Sequence, residues 1–217
     1  MRGCFQAMLA AVALGALASP ALAQGRGGWG GGMAGPGLIS NPSVQKELKL
    51  DDAQKEKATA FAEEMREKQR EMASQTEGLD GEERMKKMQE LGRAGNAEGM
   101  KALAAFLKPE QTRRFEQIVL QQRGADALTD PAVAKKLSVT DEQAEKVKAL
   151  MGEQRHLMME ARDETIGDRE MMMQKGLVIR KETNAKAMAL MTDAQKGLWK
   201  AMTGEPFEMT YAPRPAR

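Results

Sequence analysis

Cysteine is almost missing from this chain. The single residue, Cys4, stands before the apolar stretch "AMLAAVALGALA" (Ala7 to Ala18) rather than after it, where a lipid-anchored cysteine would sit. One thiol gives no disulfide framework, no thiolate metal site and no paired cysteine nucleophile. Aromatic residues make up 4% of the chain, too few to stock a β-sandwich core generously. Histidine occurs once, as His156 between Arg155 and Leu157. One imidazole without Cys partners makes no zinc site. A Ser–His–Asp or Cys–His device would need that residue, yet no strand–turn–helix elbow presents a nucleophile near it. The carboxylate pairs Glu63–Glu64 and Glu82–Glu83 have Lys or Arg close by and read as solvated helix faces. The expectation is a protein that is not an enzyme and takes no cofactor.

Charge of one sign is also lacking: 33 basic residues stand against 31 acidic ones. A nucleic-acid protein would show a net basic face, so no nucleic-acid partner is expected. Beyond the N-terminus no apolar run is long enough to span a bilayer, which argues against stable membrane insertion. The N-terminus itself reads as an export signal: Arg2 is the positive end, Ala7 to Ala18 the apolar centre, and Ala21 with Ala23 a small-x-small cleavage pattern. Residues 1–23 would be removed between Ala23 and Gln24, and the sole thiol would leave with them. The alternative is an N-terminal anchor. "GRGGWGGGMAGPG" (Gly25 to Gly37) cannot hold a fixed backbone cheaply, so residues 24–40 are expected to be a flexible linker. "YAPRPAR" at Tyr211 to Arg217 is punctuated by proline, and residues 208–217 are expected to form a disordered tail.

What is abundant is helix-forming: Glu, Lys, Ala, Gln and, at 18 residues, Met. Composition predicts an all-α protein. "NPSVQKELKLDDAQKEK" from Asn41 is echoed by "DPAVAKKLSVTDEQAEK" from Asp130, 89 residues later. Each stretch starts with a cap (Asn41 or Asp130) and a proline at the first helical position. Each then starts a longer helix: Thr140 with Gln143 forms a capping box, and Asp51 with Gln54 repeats it with a carboxylate. Two later starts share the form, Thr192 with Gln195, and Lys108-Pro109 with Gln111. Phe115 and Trp199 each follow their Gln by four residues, one turn along the same face. Leu50, Leu107, Val139 and Met191 beside these starts, with Phe115 and Trp199, are the expected core anchors. Between starts the chain is amphipathic, as at Ala58, Phe61, Met65 and Met72, and breaks are expected near Gly78–Gly81, Gly92–Gly99 and Gly167. The reading is two tandem helical-hairpin repeats, 41–124 and 125–207, packed together because neither buries its stripe alone.

Val139-Thr140-Asp141-Glu142-Gln143 and Leu190-Met191-Thr192-Asp193-Ala194-Gln195, with the looser Leu50-Asp51-Asp52-Ala53-Gln54 and Leu107-Lys108-Pro109-Glu110-Gln111, resemble the motif of the LTxxQ (Spy/CpxP-like) family. The resemblance covers Asn41 to Phe207. It implies a periplasmic α-helical protein with hooked hairpins, often an antiparallel cradle-shaped dimer, that chaperones unfolded envelope proteins without ATP or senses envelope or metal stress. This chain holds two motif pairs where a typical member has one, so the expectation is an intrachain pseudo-dimer in place of a homodimer.

The methionines leave alternatives open. Met158, Met159, Met171, Met172 and Met173 suit a pliable client-binding surface, since an unbranched thioether refits many apolar partners. They suit ordinary helical core as well. Met85 with Met88, and Met188 with Met191, are the candidates for a soft-metal site such as Cu(I), if several thioethers converge. The leading expectation is a holdase for unfolded or envelope proteins. The alternatives are a copper-binding or metal-stress protein and a non-catalytic module for a membrane signalling partner.

Overall fold

A computed structural model describes residues 35–210. The expected signal segment, the Ala23–Gln24 cleavage site, residues 24–34 of the expected linker and residues 211–217 lie outside the described residues. Among the described residues the protein is all-α, with no strand. A 3-10 turn (Pro36–Ser40) leads into α1 (Pro42–Glu47), α2 (Asp52–Gln75), α3 (Gly81–Ala104) and α4 (Pro109–Arg123). A second 3-10 turn (Gly124–Thr129) leads into α5 (Pro131–Lys136), α6 (Asp141–Glu164), α7 (Arg169–Ala189) and α8 (Asp193–Thr203).

The short helices form because Asn41 and Asp130 accept from the amides of Ser43 (2.8 Å) and Ala132 (2.9 Å), with Pro42 and Pro131 pre-set for the first turn. They end identically. Lys49 (φ 51°) and Ser138 (φ 53°) turn left-handed, and the next amide closes back, Leu50 on Gln45 and Val139 on Ala134. This Schellman closure is ordinarily made with glycine, because a side chain there costs roughly 1 kcal/mol. What it gains is direction: Leu50 is delivered into one core cluster and Val139 against the other.

The long helices α2 and α6 both run 24 residues, about 36 Å at 1.5 Å per residue, to turns at Gly78 and Gly167. The later part of the chain is shorter at four places: α7 has 21 residues where α3 has 24, the turn before it and the connection after it each lose one, and α8 has 11 residues where α4 has 15. Two clusters form the interior. The first contains Leu38, Ile39, Leu103, Leu107, Phe115 and Ile118; the second contains Ala127, Leu128, Leu137, Val147 and Ala187.

Four expectations need correction. The end of the expected linker is folded: Pro36, Leu38 and Ile39 are buried, and Ile39 is fully so. Two large apolar side chains seated against α2 and α3 offset the ordering of the glycines around them. A 3-10 turn also occurs at Gly124–Thr129, so the boundary at 40/41 leaves the first turn outside its unit while the one at 124/125 falls inside the second turn. The expected tail is ordered through Thr210: Phe207 and Met209 pack on the first cluster, and Thr210 exchanges hydrogen bonds with Asn41 and Ser43. Finally, α3 runs unbroken through Gly92, Gly95 and Gly99, its neighbours outweighing the glycine penalty.

An alanine methyl at Gly92 or Gly95 would meet nothing within 4 Å. Each substitution is therefore expected to raise the unfolding free energy by about 1 kcal/mol, the helix-propensity difference, read as a higher urea midpoint at unchanged slope. An unchanged or lower midpoint would show that α3 is not helical there.

The two clusters are joined through α4, which packs against α8 and against the turn Gly124–Thr129. Gln121 in α4 is the tie. Its amide donates to the carbonyls of Thr203 (2.6 Å) and Glu205 (2.7 Å), and its oxygen accepts from Phe207 N–H (2.8 Å). Arg114 adds a bond to the Glu205 carbonyl (2.9 Å) and an ion pair with Glu47 (2.7 Å). The chain leaves α4 at Gly124 (φ 54°) and α8 at Gly204 (φ 65°). At both, a side chain would lie about 2.5 Å from a neighbouring amide, that of Asn184 or Gln117, so both exits require glycine.

Candidate functional site

The capping boxes at Asp51/Gln54, Thr140/Gln143 and Thr192/Gln195 have both of their bonds. At Lys108 only the return bond exists, from its amide to Gln111 Oε1 (2.8 Å), because an ammonium group cannot accept a hydrogen bond. Pro109 holds the first helical position there. Sequence reasoning missed what the glutamines do next. Gln54 Nε2 donates to Gln111 Oε1 (2.8 Å) and Gln111 Nε2 donates back to Gln54 Oε1 (3.1 Å). Their remaining protons go to the carbonyls of Phe106 and Leu48 (3.0 Å each). Each Oε1 also accepts from its own N-cap amide, so both side chains use every donor and both acceptor sites.

The second pair repeats this. Gln143 and Gln195 exchange two bonds of 2.9 Å and donate to Leu190 O (2.8 Å) and Ser138 O (3.1 Å). Each pair clamps the start of one long helix to the start of the helix that closes its hairpin. Around the first clamp Leu50, Leu107 and Phe115 are buried. Around the second Met191 is buried, while Val139 and Trp199 are half-buried against the cluster. Only an amide offers two donors and two acceptor sites together, and glutamine at all four motif positions was the one sequence hint that these side chains do more than cap.

Asp130, by the first-to-second junction, is raised by burial, but the Ala132 amide and Arg123 outweigh this and hold its carboxyl below the usual range. Farther along, exposed ion pairs tie helix to helix: Lys68 to Glu98 between α2 and α3, and Lys186 to Glu153 between α6 and α7, 2.8 Å each. Hydrogen bonds that it donates to Glu98 and Glu64 hold the Lys68 ammonium above its usual range, and one donated to Glu153 does so for Lys186. Such solvated pairs contribute little to stability.

The far ends carry exposed apolar side chains. Near the first turn these are Leu79, Met85 and Met88; near the second, Met159, Ile166 and Met171, with Leu177 and Val178 farther along at the middle of α7. Ile166, at the turn itself, is 83% exposed. Between α6 and α7 a shallow groove of about 500 Å³ is floored by Leu157, Ala161, Met171, Val178 and Ile179 and rimmed by the Lys175–Glu164 ion pair. A smaller one, about 340 Å³, runs along α3 past Arg84, Met85 and Met88. Thus Met159 and Met171 face solvent, whereas Met158, Met172 and Met173 are half-buried. The isoleucine and leucines of these ends escaped sequence reasoning; apolar residues directly beside turn glycines (Gly78–Leu79, Ile166–Gly167) were the available signal.

The four metal candidates are not all brought to one surface. Met85 and Met88 are exposed on α3, while Met188 and Met191 belong to the packing of the second cluster. Among the described residues no three His, Cys, Asp or Glu side chains group to hold a metal ion. His156 is exposed, its Nδ1 3.3 Å from Glu160. No described helix is long and apolar enough to cross a membrane. Compared with family models, with curated proteins and with solved structures, the chain matches none of them.

Proposed function

We propose that this protein is an exported, ATP-independent holdase or envelope-stress protein that takes unfolded chains on its hairpin ends. One observation carries the reading: eight of the nine large exposed hydrophobic residues lie on the hairpins, and several lie beside their turns; Leu198 is the exception. A folded protein with spare freedom would place these inward, and exposed apolar surface gathered on each hairpin marks a binding face. The charges around it steer encounter, and adaptable Met and Leu side chains hold whatever apolar segment arrives. The clamps serve this by fixing each hairpin at its base, so that the ends stay exposed rather than collapse together.

We further read the two runs of 3-10 turn, short helix, two long helices and closing helix as copies of one unit, an intrachain pseudo-dimer. The paired glutamines, Schellman closures and turn threonines (Thr76 and Thr165) support that reading. Export to the periplasm rests on Arg2, the apolar Ala7 to Ala18 stretch and the Ala21–Ala23 pattern, together with the LTxxQ resemblance.

Light scattering of a diluted, denatured client tests it, using the chain from Gln24 onward without ATP. Aggregation is expected to be suppressed near stoichiometric amounts, less so with added salt. Met159→Ser with Met171→Ser is expected to weaken suppression about five-fold, equivalent to about 1 kcal/mol of lost apolar contact. Suppression indifferent to both salt and these substitutions, or no suppression at all, would sink the reading.

A further inference from the structure

The 15 described methionines divide sharply by exposure. Met85, Met88, Met159 and Met171 are 62, 48, 67 and 46% exposed, and the others are half-buried or buried, down to 6% at Met191. All four exposed ones stand toward the hairpin ends: Met85 and Met88 line the groove on α3, Met171 lines the groove between α6 and α7, and Met159 sits two turns before the second turn. Met171 opens α7 as the residue whose amide is capped by Asp168 (2.9 Å). The apolar character of these surfaces therefore depends largely on thioethers that solvent reaches.

We propose that these four methionines are oxidation sites through which a peroxide-class oxidant turns down the apolar hairpin ends while leaving the fold intact. The inference takes its surface from the client-binding reading above and adds a regulation to it. The thioether sulfur attacks a peroxide oxygen; an S–O bond forms and the O–O bond breaks. The sulfur loses two electrons, and the departing hydroxide takes a proton to become water, so that methionine and hydrogen peroxide give methionine sulfoxide and water. The product is polar and chiral, and a side chain already in water can hydrate it without disturbing helix packing. The same change at Met191 or Met188 would put a sulfoxide oxygen into the second cluster and break it. The exposed leucines and isoleucine cannot be switched this way, so the response is a graded loss.

The experiment treats the protein with limiting hydrogen peroxide and maps sulfoxides by mass spectrometry, alongside circular dichroism and binding of an apolar fluorescent dye. The four exposed sites are expected to react about ten-fold faster than Met188 and Met191, in keeping with their accessibility. Helix content should hold while dye binding falls about two-fold. A variant with Met85→Leu, Met88→Leu, Met159→Leu and Met171→Leu should bind dye as the parent does and lose none of it to peroxide; Met159→Leu with Met171→Leu alone should protect partially. Oxidation of the buried methionines in step with the exposed ones would overturn the proposal, as would equal dye loss in parent and variants. None of these readouts involves a client. A protein that shows them all yet never suppresses aggregation would defeat the holdase reading and leave the oxidation sites standing.

Discussion

Gln54→Ala is expected to lower the unfolding free energy by about 3 kcal/mol, far beyond the loss of one helix cap. The substitution strands more than itself. Gln111 is left with one unmatched donor and one unmatched acceptor site, and the Phe106 carbonyl and Asp51 amide lose a partner. Gln54 and Gln111 are both buried, so water replaces those bonds poorly. Gln111→Ala should cost a similar amount. Because the two share their reciprocal bonds, the double variant should cost less than the sum by about 1–2 kcal/mol. Gln143→Ala should cost about 2 kcal/mol, since Gln143 is only half-buried and water reaches what it leaves behind. Gln54→Glu is informative in another way. A carboxylate there would face the Phe106 carbonyl and the Gln111 oxygen, so folding favours its protonated form and raises its pKa above the unfolded value. The folded state then holds more protons than the unfolded one, and this variant should lose stability as pH rises above the ordinary carboxylate range. Urea unfolding followed by circular dichroism at several pH values reads all of these. A cost near 1 kcal/mol at every glutamine, with additive doubles, would reduce the clamps to independent caps.

The helix starts were legible because capping is local. Thr140 and Gln143 lie within one turn, and their spacing alone predicts both bonds. The reciprocal bond between Gln143 and Gln195 was not legible, because it joins residues 52 apart and depends on how two helices meet. Leu38 and Ile39 were assigned to a linker on the composition around them; their burial against α2 and α3 is a tertiary effect that glycine-rich neighbours conceal. The reverse happened at Gly92, Gly95 and Gly99, where intrinsic preference argued for a break and a 24-residue helix prevailed. The methionine runs show the same limit at the candidate site. Met171, Met172 and Met173 are consecutive on a helix, so roughly 100° of rotation separates each from the next. Sequence placed them together, but only packing against α6 decides that Met171 faces outward and the other two do not fully. The charged residues flanking them, Glu170 and Lys175, gave no help, since exposed and half-buried positions on a helix both accept Lys and Glu.

Phe115→Ala is expected to cost about 4 kcal/mol, the range for emptying a fully enclosed phenylalanine site. Phe115 sits one turn beyond Gln111 and shares the first cluster with Ile118, Val119, Leu103 and Leu107. Its counterpart Trp199 is half-buried, so Trp199→Ala should cost less, about 2 kcal/mol. The larger consequence concerns the coupling of the two clusters. Besides Phe115, α4 carries Gln121, which bonds to Thr203, Glu205 and Phe207, and it packs on α8 and on the turn that opens the second half. Loosening α4 therefore weakens both clusters at once. In a Trp29→Phe background, the emission of Trp199 reports on the second half and helix circular dichroism on the whole. With Phe115→Ala both should move to the same lower urea midpoint and remain a single transition. If the Trp199 signal stayed at the parent midpoint while half of the helix signal was lost earlier, the halves would be independent modules. Coincident transitions would instead mean that α4 and the segment following α8 bind them into one cooperative body, with the two hairpins built on a shared base.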